Sequence, residues 1–157
     1  MAKQRISAGG IVVQEGKILL VHHYEAGKAD FWVLPGGGIE GNEGIFAAAE
    51  RETWEETSLR VRAEKIAYFE DFIDGGRYVC KFWVVCRPES GTPSIVHTEP
   101  GEGYLTGARF FSQAELEDIT VFPAILRGPF WHDLAAGFPA IQYLGYHQED
   151  IDDLFAG

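Results

Sequence analysis

GGIEGNEGIFAAAERETWEETSL, residues 37–59, is the stretch that decides how this 157-residue chain reads. It runs from a glycine-rich turn into a predicted helix with Glu52, Glu55 and Glu56 crowded at its end. At about 100° per residue, the three carboxylates fall within roughly 100° of arc on the helix surface. Like charges that close repel, and acids at a helix C-terminus also oppose the helix dipole. Read as a solvated acidic helix end, the cluster leaves that electrostatic cost uncompensated. A hard divalent cation reverses the sign, because oxygen ligands suit Mg²⁺ or Mn²⁺.

Residue by residue, the stretch resembles the Nudix box, G-x5-E-x7-R-E-U-x-E-E-x-G-U, where U is a bulky apolar residue. Gly37 opens it, Glu43 is the first acid, and Arg51-Glu52 is the RE pair. Glu55-Glu56 is the EE pair and Leu59 closes it. Thr53 stands where an aliphatic residue is usual, and Ser58 replaces the last glycine. Neither position supplies a ligand side chain in the family. Ser58 must end the helix without a glycine's freedom at positive φ.

The resemblance implies a MutT-like Nudix hydrolase of α/β (α+β) class. The expected fold is a Nudix-like α/β/α sandwich, a mixed β-sheet flanked by helices, with residues 1–157 as one domain. It implies a metal, Mg²⁺ or Mn²⁺, held by Glu52, Glu55, Glu56 and the backbone carbonyl of Gly37. Glu52 is the first choice for a shared ligand and base. The implied reaction is attack of metal-activated water on one phosphorus of a P–O–P linkage, in a nucleoside diphosphate joined to another group. Arg51 lies eight residues after Glu43 and four before Glu55, so it can brace either carboxylate or face substrate.

Around the box the chain alternates strands and turns. Residues 5–14 and 17–24 read as a hairpin across Glu15-Gly16, with Gly9 and Gly10 marking a bulge or close backbone approach. His22 and His23 end the second strand, as polar termini or as substrate contacts at the rim. Residues 31–35 read as a short strand running into Gly36, Gly37 and Gly38, whose backbone can present its own amides and carbonyls to substrate. Asn42 is an expected N-cap for a helix over 43–57. Residues 59–72 and 77–86 read as strands joined at Asp74-Gly75-Gly76. Residues 87–103 read as a loop carrying His97, Glu99 and Glu102. In several Nudix subfamilies an acid on such a loop binds metal or acts as base, which makes Glu99 and Glu102 candidates. Residues 104–112 read as a strand, and Ser112 with Glu115 forms a capping box. Residues 121–138 read as a helix interrupted near Gly128-Pro129, and the rest as a tail docked by Tyr143 and Leu144.

Net charge is −11, which argues against a nucleic-acid polymer as partner, since no basic stripe is present to neutralise phosphates. An anionic small molecule would be repelled as well, unless bound metal reverses the local sign. Cys80 and Cys86 share one face of a strand, about 20 Å apart if it is straight, too far to bridge. Reduced thiols fit a cytoplasmic location. The N-terminus has no apolar run of the length a signal peptide or membrane span requires. A homodimer is compatible with the aromatic-rich second half.

Substrate choice is less determined. Nudix enzymes for ADP-ribose often carry a proline about fifteen residues after the box, and no proline lies between Pro35 and Pro88. Tyr78 is a weak, late match to a diadenosine polyphosphate marker. A nucleoside triphosphate pyrophosphohydrolase is preferred by elimination. Trp32, Tyr68, Phe69 and Phe72 are candidates to stack a base or to fill the sheet core. Two other classes compete: a nucleotide-binding regulatory module without turnover, and an isoprenoid diphosphate isomerase, which would need a cysteine at the reacting carbon.

Overall fold

Gly9 and Gly10 mark where the sheet is approached from both faces. A Cβ at Gly9 would strike the Trp83 ring and the Pro35 carbonyl, and one at Gly10 would strike the Thr53 hydroxyl. In the computed structural model, which describes residues 3–95 and 105–147, these glycines lie in β1 (Gln4–Gln14). The other strands are β2 (Lys17–Glu25), β3 (Ala29–Val33), β4 (Gly36–Gly38), β5 (Arg60–Asp74), β6 (Arg77–Ser90), β7 (Leu105–Phe111), β8 (Val121–Phe122) and β9 (Gln142–His147). Two α-helices, α1 (Ile45–Thr57) and α2 (Pro129–Ala135), join 3₁₀ turns at Ala114–Asp118 and Ala124–Arg127. None of these helices is long and apolar enough to cross a membrane.

The strands form one mixed, curled sheet in the order β8-β3-β2-β1-β6-β5-β9, with β4 on β1 and β7 on β2. The β1–β2 hairpin pairs only at Val13 with Ile18 and Gln14 with Lys17. Beyond that corner β2 leaves to pair with β3 and β7, while β1 pairs with β4 and runs parallel to β6. The sheet therefore opens into two leaves. Ala48 and Ala49 of α1 pack with Ala8, Val12, Val84 and Cys86 on one face. On the other, Trp83, Tyr68 and Ile11 pack with Leu126, Phe130 and Phe138. This is the expected layering of helix, mixed sheet and helix.

Several boundaries differ from the sequence reading. The helix starts at Ile45, with Gly44 rather than Asn42 at its N-cap and no side-chain cap. Glu43 accepts the Glu40 backbone N–H at 2.9 Å, which keeps residues 40–43 in a turn. Residues 121–138 are not one interrupted helix. The chain does break at Gly128, with Pro129 opening α2. Before it, Val121 and Phe122 pair in parallel with Trp32 and Val33. Pro123, lacking an N–H, follows that strand and precedes the 3₁₀ turn. The tail goes further than docking: residues 142–147 add a parallel strand beside β5. There Tyr143 stacks on Phe69 at 4.9 Å and donates to Asp71 at 2.5 Å. Strand β6 continues through Ser90, shortening the expected loop. His97, Glu99 and Glu102 lie outside the described residues.

The two departures from the box have local solutions. Ser58 adopts φ 67°, and its N–H caps the Trp54 carbonyl at 2.8 Å. Its hydroxyl bonds Ser94 Oγ at 2.9 Å, and Ser94 N–H caps the Thr57 carbonyl. Thr53 is fully buried against Gly10, and among the described residues its hydroxyl has no hydrogen-bond partner. A buried hydroxyl without a partner costs about 1–3 kcal/mol of desolvation. Thr53→Val, which keeps the shape, is therefore expected to stabilise the fold by about 1 kcal/mol in urea unfolding. An unchanged or lower midpoint would mean that the hydroxyl is satisfied.

Candidate active site

The two leaves enclose a cavity of about 900 Å³. Its floor is one face of β1, β6 and β5, where pairing sets Ser7 opposite Lys81 and Lys81 opposite Glu70. One rung further out, Arg5 faces Val79, and Val79 faces Phe72. The roof is apolar, formed by Phe31 and Val33 of β3, by Phe122 and by Ile125. Leu144 and His147 of β9 close one side.

The glycine-rich strand and α1 form the inner end. Gly36 donates its N–H to Glu56 Oε1 at 2.7 Å. At Gly37 a Cβ would lie 2.6 Å from the Glu52 carboxylate, so only glycine permits that approach. Glu52 and Glu56 both line the cavity, at 5 % and 7 % exposure. Glu55 lies outside the lining and bonds Arg51 at 3.1 Å. Arg51 is the hub of this end. It donates to Glu43 at 2.6 Å, to Glu52 at 3.0 Å and to the Gly38 carbonyl at 3.0 Å. Among the described residues no three His, Cys, Asp or Glu side chains converge on one point. Arg51 accounts for this, because it draws Glu55 and one oxygen of Glu52 to itself.

The donor set nevertheless fits a hard divalent ion. Two nearly buried carboxylates face a cavity beside a backbone strand that carries no side chains, an oxygen-donor set. Glu52, Glu56 and the Gly37 carbonyl would hold the ion, while Glu55 is bonded to Arg51.

Family membership follows from a comparison with known domains. A model of the NUDIX domain matches residues 3–129. The chain belongs to the NUDIX family. Two curated relatives are similar: a MutT-like protein of Streptomyces ambofaciens, 28% identical over 102 residues, and the phosphatase NudJ of Escherichia coli K12, 34% identical over 73. These alignments cover 64% and 46% of this chain, and 63% and 47% of the relatives, so the chain spans only part of each. In fold it is similar to a NUDIX hydrolase from Nitrosomonas europaea, with a TM-score of 0.73 at 22% identity, covering 95% of this chain and 81% of that one.

Within this NUDIX frame the residues singled out by sequence divide. Gly36, Gly37, Glu52 and Glu56 meet in the cavity, and Gly38 lies beside them under the Arg5 guanidinium. His22 is turned to the other face of β2, bonded to Asp30 at 2.6 Å and stacked on Trp32 at 4.4 Å. Its neighbour His23 lines the cavity instead, stacked on Phe31 at 4.9 Å. Burial first, then the charge of Lys81, pushes the His23 pKa down to about 4, so its ring is neutral at pH 7. Of the base-stacking candidates only Phe72 reaches the cavity. Cys86 packs on the α1 face, where burial pushes its thiol up to about 12, and neither cysteine lines the cavity. The isomerase reading thus lacks its cysteine at the site.

The sequence reading missed Lys81, Glu70 and Arg5; of the two adjacent histidines that it offered as rim contacts, only His23 lines the cavity. One signal was available. Lys81 is the single charge in the apolar run VCKFWVVC, on the same strand face as Val79 and Trp83.

Proposed function

We propose that this protein hydrolyses the diphosphate linkage of a nucleoside diphosphate joined to another group, and that it needs Mg²⁺ or Mn²⁺ to do so. The observation that carries this reading is the pair Glu52 and Glu56. Both are nearly buried, both come from one helix, and both line a cavity of about 900 Å³ beside a glycine strand. The names of the similar proteins, MutT-like and phosphatase, lend support. A divalent ion bound there would polarise phosphoryl oxygens and lower the pKa of a water. The protein's own part is positional. The Gly36 N–H fixes Glu56, Arg51 fixes Glu52 through one oxygen, and the apolar roof faces the charged floor. A nucleoside triphosphate is the first substrate to test, with the base against the Phe31 and Phe122 wall. Free thiols at Cys80 and Cys86 support a reducing, cytoplasmic location.

A second reading, nucleotide binding without turnover, is favoured by Arg51 holding Glu55 away from the cavity. One experiment separates the two. Phosphate and pyrophosphate release is followed over nucleoside triphosphates, dinucleoside polyphosphates, ADP-ribose, nucleotide sugars and NADH, with Mg²⁺ and with chelator. Metal-dependent turnover of one class is the expected outcome. Binding without release across the panel would replace the hydrolytic reading with the second one.

A further inference from the structure

Lys81 is a half-buried cation that closes no ion pair among the described residues. It reaches the cavity from the middle of the floor, with its Cε 3.2 Å from where a Gly36 Cβ would stand. Its ammonium lies 4.4 Å from the centre of the Trp83 ring. An ammonium has three donors. Among the described residues none of them makes a hydrogen bond, and no carboxylate closes a salt bridge with it. The neighbour that competes for a carboxylate is Trp83, which donates to Glu70 at 2.8 Å. Burial disfavours the charge, while Glu56, Glu70 and Glu52 attract it from a distance and Arg5 repels it. A half-buried cation whose donors find no protein partner is placed to take an anionic one. The open side of Lys81 is the cavity.

The charges on that wall say what would meet it. Glu52, Glu56 and Glu70 outweigh Lys81 and Arg5 by one negative charge, which repels an anion. A divalent ion on Glu52 and Glu56 turns the balance to one positive charge. Arg77, further out, is already engaged with Asp74 at 3.4 Å. Arg5 closes no salt bridge among the described residues and lies one rung from Lys81, so the two present a cationic strip facing the apolar roof. Building on the hydrolytic reading, we propose that Lys81, backed by Arg5, is a phosphate-contacting positioning residue, which holds the substrate's diphosphate on the floor once a divalent ion has neutralised the two glutamates. The substrate then lies across the cavity, with its anionic part on the β1–β6 floor and its apolar part under β3. A ligand lacking the diphosphate has nothing to offer Lys81.

Equilibrium binding of imidodiphosphate, a diphosphate whose bridging atom resists hydrolysis, tests this without turnover. Affinity is read by calorimetry at saturating Mg²⁺, alongside quenching of Trp83, whose ring touches Lys81. Lys81→Met is expected to weaken imidodiphosphate about tenfold to a hundredfold, the range for a hydrogen bond to a charged group. The same variant should bind Mg²⁺ alone no more weakly, because it removes a like charge beside Glu52 and Glu56. These opposite responses distinguish a phosphate contact from a merely structural lysine. Arg5→Gln should weaken imidodiphosphate severalfold and serves if Lys81→Met does not fold. Unchanged imidodiphosphate affinity in a folded variant would overturn the proposal. So would parallel loss of Mg²⁺ and imidodiphosphate, or failure of the unaltered protein to bind imidodiphosphate. The hydrolytic reading fails separately, on the nucleotide panel.

Discussion

Glu56→Gln is expected to lower kcat/KM by at least about a hundredfold while leaving the fold intact. Losing a partner that only orients a metal ligand costs about 10–100-fold, and Glu56 is proposed as a ligand itself. The amide oxygen of glutamine can still accept the Gly36 N–H, which Glu56 now takes at 2.7 Å. Local structure is thereby retained while the negative charge is lost. Thermal unfolding should shift little, because the substitution also relieves repulsion between Glu56 and Glu52. Glu55→Gln should cost less, since Glu55 is bonded to Arg51 and lies outside the cavity lining. The check is kcat/KM on the substrate that turns over, beside a Mg²⁺ titration and a melting curve. Equal, wild-type-like rates in both variants would remove the metal assignment.

The largest expected loss of stability comes from Arg51→Leu. Arg51 is 22 % exposed and serves Glu43, Glu52 and Glu55 at once. Removing one partner of a buried ion pair costs about 3–5 kcal/mol. Partial exposure screens that, so about 2–3 kcal/mol is expected at pH 7, read from urea unfolding. The pH dependence has a definite sign. The hydrogen bond from Arg51 holds the Glu43 carboxyl below its ordinary value of 4.5. A carboxylate with a depressed folded pKa contributes stability that is fully present above its unfolded value and lost as pH falls through the folded one. The gap between wild type and Arg51→Leu should therefore be widest near neutrality and narrow as pH drops below 4.5. A gap constant from pH 7 to pH 3 would show that Arg51 acts by packing alone.

How far the sequence carried depends on which residues are asked about. The box was legible because its chemistry is local. Glu52, Glu56 and Gly37 are close in sequence, and helical spacing with a glycine approach brings them together. Arg51 was legible for the same reason, being one helix turn from Glu55. Lys81, Glu70 and Arg5 were not. They meet through a parallel pairing of β1 with β6 and an antiparallel pairing of β6 with β5, and single-strand periodicity gives no register between strands. His22 and His23 show how narrow the margin is: a strand reverses its faces at each residue, so of two adjacent candidates only His23 faces the cavity. The first half of 121–138 misled because its apolar residues suit a helix, while Pro123 and the free edge of β3 offered the chain a strand and a tight turn instead. Strand β9 was hidden because its partner, β5, lies about seventy residues earlier in the chain.

The division of the cavity between two leaves bears on how such a protein changes its diet. The charged floor is on the leaf built from β1, β5 and β6, and the apolar roof belongs to β3, β8 and the turn after Pro123. A substitution in Phe31, Phe122 or Ile125 alters the shape offered to the uncharged part of a ligand without touching a residue that fixes Glu52 or Glu56. Changes made at separate, non-contacting sites tend to add in free energy. Selectivity and reactivity can then be tuned as independent coordinates, with roof libraries screened on an unaltered floor.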